Sequence, residues 1–173
     1  MNVKYKLKEQ DYIDFNLYHM AHSKLMKSHL MKQRIAGPII FTVAAFITPQ
    51  ISGIPFWYWA TVFSIVSILW FFNYPKLSKK RMRKQISKML SEGDNKDFFS
   101  LKELTLEKQG IIIKSPFSET SVLWPSFGKL ATTKSHIFIY NGAASAYIIP
   151  KRAFSSDEAY NFFLQALEKH IKL

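Results

Sequence analysis

The chain has 173 residues and a formal net charge of +12, with 24 Lys or Arg against 12 Asp or Glu, and it contains no cysteine. The missing thiols exclude a disulfide scaffold, a thiol nucleophile and any Cys-based metal site. The charge resembles that of a nucleic-acid binder until it is located: residues 1 to 34 are net +4, residues 75 to 91 net +7 and residues 92 to 173 net +1.

Residues 1 to 34 read as a strand followed by a helix. Val3, Tyr5 and Leu7 alternate with Asn2, Lys4, Lys6 and Lys8, the period of a short strand with one buried face. That strand is too short to be stable alone, so it is expected to pair with strands beyond the helical region. From Glu9 the period changes: Tyr12, Ile13, Phe15, Leu17, Tyr18 and Met20, then Leu25, Met26, Leu30 and Met31, form a broad helical face. Glu9, Asp11 and Asp14 fall in its opening turns, where negative charge suits the helix dipole. An amphipathic helix leading to a membrane is expected here. With charged residues spread through it and no apolar core close to the first Met, this segment is unlike a cleavable signal peptide.

Residues 35 to 74 contain no Asp, Glu, Lys, Arg or His. Pro49, Gln50, Ser52, Gly53 and Pro55 divide them into two arms, 35–54 and 56–74, each close to the ~20 apolar residues that span a hydrocarbon core of ~30 Å. The reading is a transmembrane helical hairpin. Trp57, Trp59 and Trp70 stand near the ends of the second arm, as interfacial aromatic residues do. Small residues recur four apart at Ala44, Thr48 and Ser52 and at Ala60 and Ser64. A tight antiparallel turn would then pair Ala44 with Ser64 and Thr48 with Ala60. Basic residues flank the hairpin on both sides, a pattern that places both termini in the cytoplasm and the protein in the cytoplasmic membrane.

Residues 75 to 97 form a basic juxtamembrane helix and linker. Pro75 marks the exit from the membrane, and Lys79, Lys80, Arg81, Arg83 and Lys84 are the candidate contacts to anionic lipid headgroups. The same residues also serve as topology determinants, and both roles can hold.

Residues 98 to 173 read as a small β domain. Leu104 and Leu106 alternate with polar neighbours, and Lys108-Gln109-Gly110 turns into Ile111 to Ile113. Further strands are expected at Thr120 to Trp124, Lys129 to Thr133, His136 to Tyr140 and Ser145 to Ile149, the last two joined by an Asn141-Gly142 hairpin turn. Ser155 and Glu158 form a capping box for a final helix, whose face of Ala159, Phe163, Ala166, Leu167 and His170 can close the end of a barrel. The expected fold is α+β: a two-helix hairpin plus a cytoplasmic β-barrel or sandwich capped by a C-terminal helix, the layout of a pleckstrin-homology-like domain.

Three stretches carry a family resemblance: Phe15-Asn16-Leu17-Tyr18-His19, Ser121 to Trp124, and Ile149-Pro150-Lys151-Arg152-Ala153-Phe154. Together they resemble the YcxB-like family of small bacterial membrane proteins. The resemblance implies a bacterial inner-membrane protein with a C-terminal cytoplasmic domain, and it brings no activity with it. The corner Trp124-Pro125-Ser126-Phe127 departs from the family pattern.

No catalytic, cofactor or metal motif stands out. His19 and His22 are three apart, with His29 further along, but a metal would need another ligand and supporting residues. A serine nucleophile served by His136 leaves no local trace in a sequence. A charge-coupled transporter is disfavoured, because the spans hold no ionisable residue. Lys151 and Arg152, adjacent cations at a strand–helix junction beside Phe154, are the candidate contacts to an anion or an acidic partner. The resulting expectation is a membrane-anchored, non-enzymatic interaction or regulatory module on an anionic bilayer, without cofactor or nucleic acid. A protein partner or homo-oligomer is left open, and a membrane-bound enzyme is the alternative.

Overall fold

The computed structural model describes residues 1–171. The chain divides into two compact units: Met1–Phe15 with Ile86–Leu173, and Asn16–Gln85. It passes from one to the other inside helices α1 (Glu9–His22) and α3 (Phe56–Glu92).

The first unit is α+β. Its strands are β1 (Asn2–Lys6), β2 (Leu101–Leu106), β3 (Gly110–Lys114), β4 (Glu119–Leu123), β5 (Lys129–Thr132), β6 (His136–Tyr140) and β7 (Ala146–Pro150). They form two antiparallel sheets, β1-β2-β3-β4 and β5-β6-β7. The N-terminal strand joins the first along its full length: Asn2 faces Thr105 and Lys6 faces Leu101. Its buried side chains, Val3 and Tyr5, are the apolar ones of the alternation.

The barrel expected from the strand spacing does not close. After β4 the chain enters a 3-10 turn at Trp124–Ser126, where Pro125 has no N–H to give to a ladder. The Trp124 N–H instead turns back to the Gln109 carbonyl at 3.0 Å, and pairing resumes only where Gly128 donates to Tyr140 at 2.9 Å. The two sheets therefore remain separate. A second difference lies between β6 and β7. The expected hairpin forms, its loop closed by the Asn141 N–H on the Ser145 carbonyl at 3.1 Å, but neither Asn141 nor Gly142 adopts the positive φ that made the pair a turn signal.

Strand β6 is buried along its entire length. Its residues alternate between faces. His136, Phe138 and Tyr140 share the side met by the opening turns of α1, where the Phe15 ring lies 5.4 Å from that of Phe138 and 5.7 Å from that of Tyr140. Ile137 and Ile139 occupy the opposite side and are fully buried with Leu104, Ile111, Ile149, Phe163 and Leu167. Helix α4 (Asp157–Glu168) supplies the last two. Its cap is Ser156, one residue beyond the expected Ser155, and its hydroxyl accepts the Ala159 N–H at 3.2 Å.

The second unit is helical. Ser23 ends α1 and caps α2 (Lys24–Ser52), accepting the Met26 N–H. Gly53, at φ 67°, provides the left-handed cap that a Cβ would strain, and its N–H meets the Pro49 carbonyl at 3.1 Å. Helix α3 begins three residues later and continues through Pro75 to Glu92, so the expected membrane exit is no helix end. Trp59 Nε1 donates to Ser52 Oγ at 2.9 Å beside the turn, and Phe41 stacks on Phe63 at 6.4 Å farther down. Gly37 lies against the Trp70 indole, leaving no room for a Cβ. Ala45 is buried and Ser64 is exposed, and both border the same cavity between the arms, beside Ala60 and Phe63.

Helices α2 and α3 are each long and apolar enough to cross a membrane, and their apolar windows are only 11% and 0% buried. A helix from the core of a soluble protein would be mostly buried.

Candidate functional site

Pro150 ends β7 and the chain tightens into a 3-10 turn at Lys151–Ala153. The Lys151 N–H anchors that turn by donating to the Ser135 carbonyl at 2.7 Å. Arg152 is thereby aimed at α1. Its Nη1 donates to Asp11 Oδ1 at 2.7 Å and its Nη2 to Asp11 Oδ2 at 2.5 Å, a fork-on-carboxylate pair, and Nη2 also reaches the Lys6 carbonyl at 3.1 Å.

Asp11 is almost fully buried and receives two more hydrogen bonds. His136 Nε2 lies 2.8 Å from Oδ1, and the Lys8 N–H donates to Oδ2 at 2.6 Å. Burial pushes this carboxyl up. The hydrogen bonds from Arg152, His136 and the Lys8 backbone outweigh that effect and bring it down to about 2. One carboxylate thus joins the end of β1, the start of α1, the start of β6 and the turn before α4. The acid read from the sequence as a partner of the helix dipole is a buried junction. Its partners lie 125 and 141 residues away, beyond any local pattern.

The adjacent cation is placed differently. Lys151 Nζ is 2.9 Å from Asp157 and 5.2 Å from the centre of the Tyr160 ring, and the Asp157 side chain is 76% exposed. An ion pair of that kind contributes little and exchanges readily. Of the two candidate contacts, Arg152 is occupied by Asp11 and Lys151 retains an outward-facing, exchangeable charge.

A second polar cluster lies near the start of β2. Asp97 accepts hydrogen bonds from the hydroxyls of Ser115 at 2.5 Å, Ser118 at 3.1 Å and Ser100 at 3.3 Å. Those bonds, the Ser115 one foremost, hold its carboxyl below the usual range. It borders a cavity of about 260 Å³ that also receives Tyr5, Tyr12, Phe98, Lys102 and Tyr147. This cavity has no local signature, because its walls come from both ends of the chain.

The histidines considered as metal ligands have local partners: His22 Nδ1 lies 2.9 Å from the Tyr18 carbonyl, and His29 Nε2 lies 3.1 Å from Gln33 Nε2. No group of three His, Cys, Asp or Glu that could hold a metal occurs among the described residues. On α3, Lys79, Lys80, Arg81, Arg83 and Lys84 are all exposed, and none forms an ion pair among the described residues.

No curated protein and no solved structure gives a significant match to the chain. A protein-family model does match, over the part of the first unit that runs from the last residue of β2 into α4. The resemblance read from the sequence therefore holds over residues 106–167, which match the family described as YcxB-like protein.

Proposed function

We propose that the protein is a membrane-anchored, non-enzymatic module that holds a small pleckstrin-homology-like domain at the cytoplasmic face of a bilayer. The observation that carries this reading is the exposure of the α2–α3 hairpin, whose apolar windows are 11% and 0% buried while basic residues crowd both ends. Helices of 29 and 37 residues are about 44 and 56 Å long, enough to cross ~30 Å of hydrocarbon and carry their charged ends into the headgroups. Four strands in one sheet, three in the next and a C-terminal helix support the pleckstrin-homology-like layout.

In this reading Lys79, Lys80, Arg81, Arg83 and Lys84 lie against anionic lipid, and the exposed pair of Lys151 with Asp157 is a place where an acidic partner segment exchanges for Asp157. The protein works by location and contact rather than by a reaction. Topology tests it most directly. Reporters fused at residue 1 and at residue 173 should both report cytoplasm, and single cysteines at Gln50 or Ser52 should be labelled only from outside. External labelling at either terminus, or recovery of the intact chain in the soluble fraction, would sink the reading.

A further inference from the structure

Between Asn16 and Gln85 the chain has ten Lys or Arg and no Asp or Glu. No cation of this helical unit can find a carboxylate within it, so counter-charge must be supplied from elsewhere. Three of these cations surround one cavity. Lys27 and Arg34 on α2 and Lys79 on α3 line a pocket of about 260 Å³ whose walls are otherwise apolar, formed by Met20, Leu30, Met31, Tyr74 and their neighbours. Met20 comes from the end of α1, so three helices converge there.

We propose that this pocket seats the phosphate and glycerol end of one anionic glycerophospholipid, whose acyl chains continue along the apolar helices, and the proposal rests on the membrane reading above. The position fits, because the pocket lies where α2 and α3 change from apolar to basic, the depth at which headgroup meets acyl chain. The chemistry fits as well. A free phosphate would be served by cations alone, whereas an apolar cleft rimmed by three cations matches a molecule with a phosphate at one end and hydrocarbon at the other. Arg34 is held in place for the role. Its Nε donates to the Phe71 carbonyl at 2.8 Å and its guanidinium lies 3.7 Å from the centre of the Phe71 ring, leaving the remaining N–H groups unassigned. Lys27 and Lys79 are exposed and have no ion-pair partner among the described residues.

The test uses the full chain, released from mixed micelles of phosphatidylglycerol and phosphatidylcholine and weighed by native mass spectrometry. One retained phosphatidylglycerol per chain is expected, with phosphatidylcholine retained at least tenfold less. The double variant Lys27→Gln with Lys79→Gln should lose retention about tenfold. Lys24→Gln with Lys32→Gln removes the same charge from exposed positions outside the pocket and should leave it unchanged. Equal loss in both doubles would mean diffuse attraction to the basic helices and would overturn the site. Retention of phosphatidylcholine at the same level, or displacement of the lipid by inorganic phosphate, would overturn it too. Cysteine labelling at Gln50 in each variant separates the two readings: a correctly inserted chain that retains no lipid refutes the pocket alone.

Discussion

Arg34 donates its Nε–H to the carbonyl of Phe71 at 2.8 Å, and Phe71 is the residue whose helical donor is missing, because position 75 is proline. An interior proline removes one i to i−4 hydrogen bond and leaves that carbonyl unpaired. Here a side chain of the neighbouring helix takes the place of the absent N–H, so α3 runs on through Pro75. The two residues should therefore be energetically coupled. Arg34→Met should cost about 1 kcal/mol more with Pro75 present than in a Pro75→Ala background, where the helix supplies its own donor. Unfolding of the four proteins in detergent, followed by the helix signal, measures the coupling, and equal costs in both backgrounds would refute it.

Gly37 should be similarly demanding. A Cβ there would overlap the Trp70 indole, which is packed between the arms with its Nε1 buried. Gly37→Ala should lower stability in detergent by about 1 to 3 kcal/mol, the usual range for overpacking, and Gly37→Val by more. In a Gly37→Ala background, Trp70→Phe should restore part of the loss. A neutral Gly37→Val would mean that the arms are not in contact at this point.

These two contacts indicate how far the sequence could be read. The hairpin was legible because forty uncharged residues with a proline and glycine interruption leave few alternatives, and β1 was legible because Val3, Tyr5 and Leu7 alternate cleanly. The continuity of the second arm with the basic helix after it was not legible at Pro75, since a proline reads as a boundary unless a donor from elsewhere is known to satisfy Phe71. Of the barrel and the sandwich that the strand spacing allowed, the barrel fails at Trp124–Ser126, because spacing carries no information on whether neighbouring sheets join. Asp11 was read locally as a dipole partner. Its actual role depends on His136 and Arg152, and nothing in the alternation of β6 or the Pro-Lys-Arg stretch points back to the first helix.

Gly110 opens β3 opposite Leu123, and a Cβ at this position would run into the Val122 carbonyl of β4. The obstruction is backbone, which cannot turn aside as a flexible side chain does. Gly110→Ala should cost about 2 to 3 kcal/mol through strain at the β3–β4 ladder. Amide exchange should locate the damage: protection should fall first in residues 119 to 123 while the β5-β6-β7 sheet keeps its own. Uniform loss across both sheets would show that they open as one unit.

The junction at Asp11 gives the unit a pH dependence whose sign follows from the direction of its shift. Its carboxyl is lowered from an ordinary 3.8 to about 2, so the stabilisation is complete above about pH 4 and is lost as the pH falls toward 2. The amount is roughly 2 kcal/mol, at about 1.4 kcal/mol per tenfold change in proton affinity. Asp97 and Glu158 are lowered as well, so the whole chain loses stability in acid and only a comparison isolates Asp11. Asp11→Asn should be less stable at pH 7, and the gap between it and the parent should narrow by about 2 kcal/mol between pH 5 and pH 2. Arg152→Met keeps the carboxylate buried while removing its main partner, and should cost about 2 to 4 kcal/mol at pH 7. Without the guanidinium, burial weighs more heavily on Asp11 and its affinity for a proton rises. The deficit of Arg152→Met should then shrink as the pH is lowered through 5. Denaturant unfolding of the parent and both variants at several pH values, followed by the near-ultraviolet signal of the aromatic residues, measures all three slopes. A gap between Asp11→Asn and the parent that stays constant from pH 7 to pH 2 would show that the Asp11 charge is not what holds α1, β6 and the β7–α4 turn together.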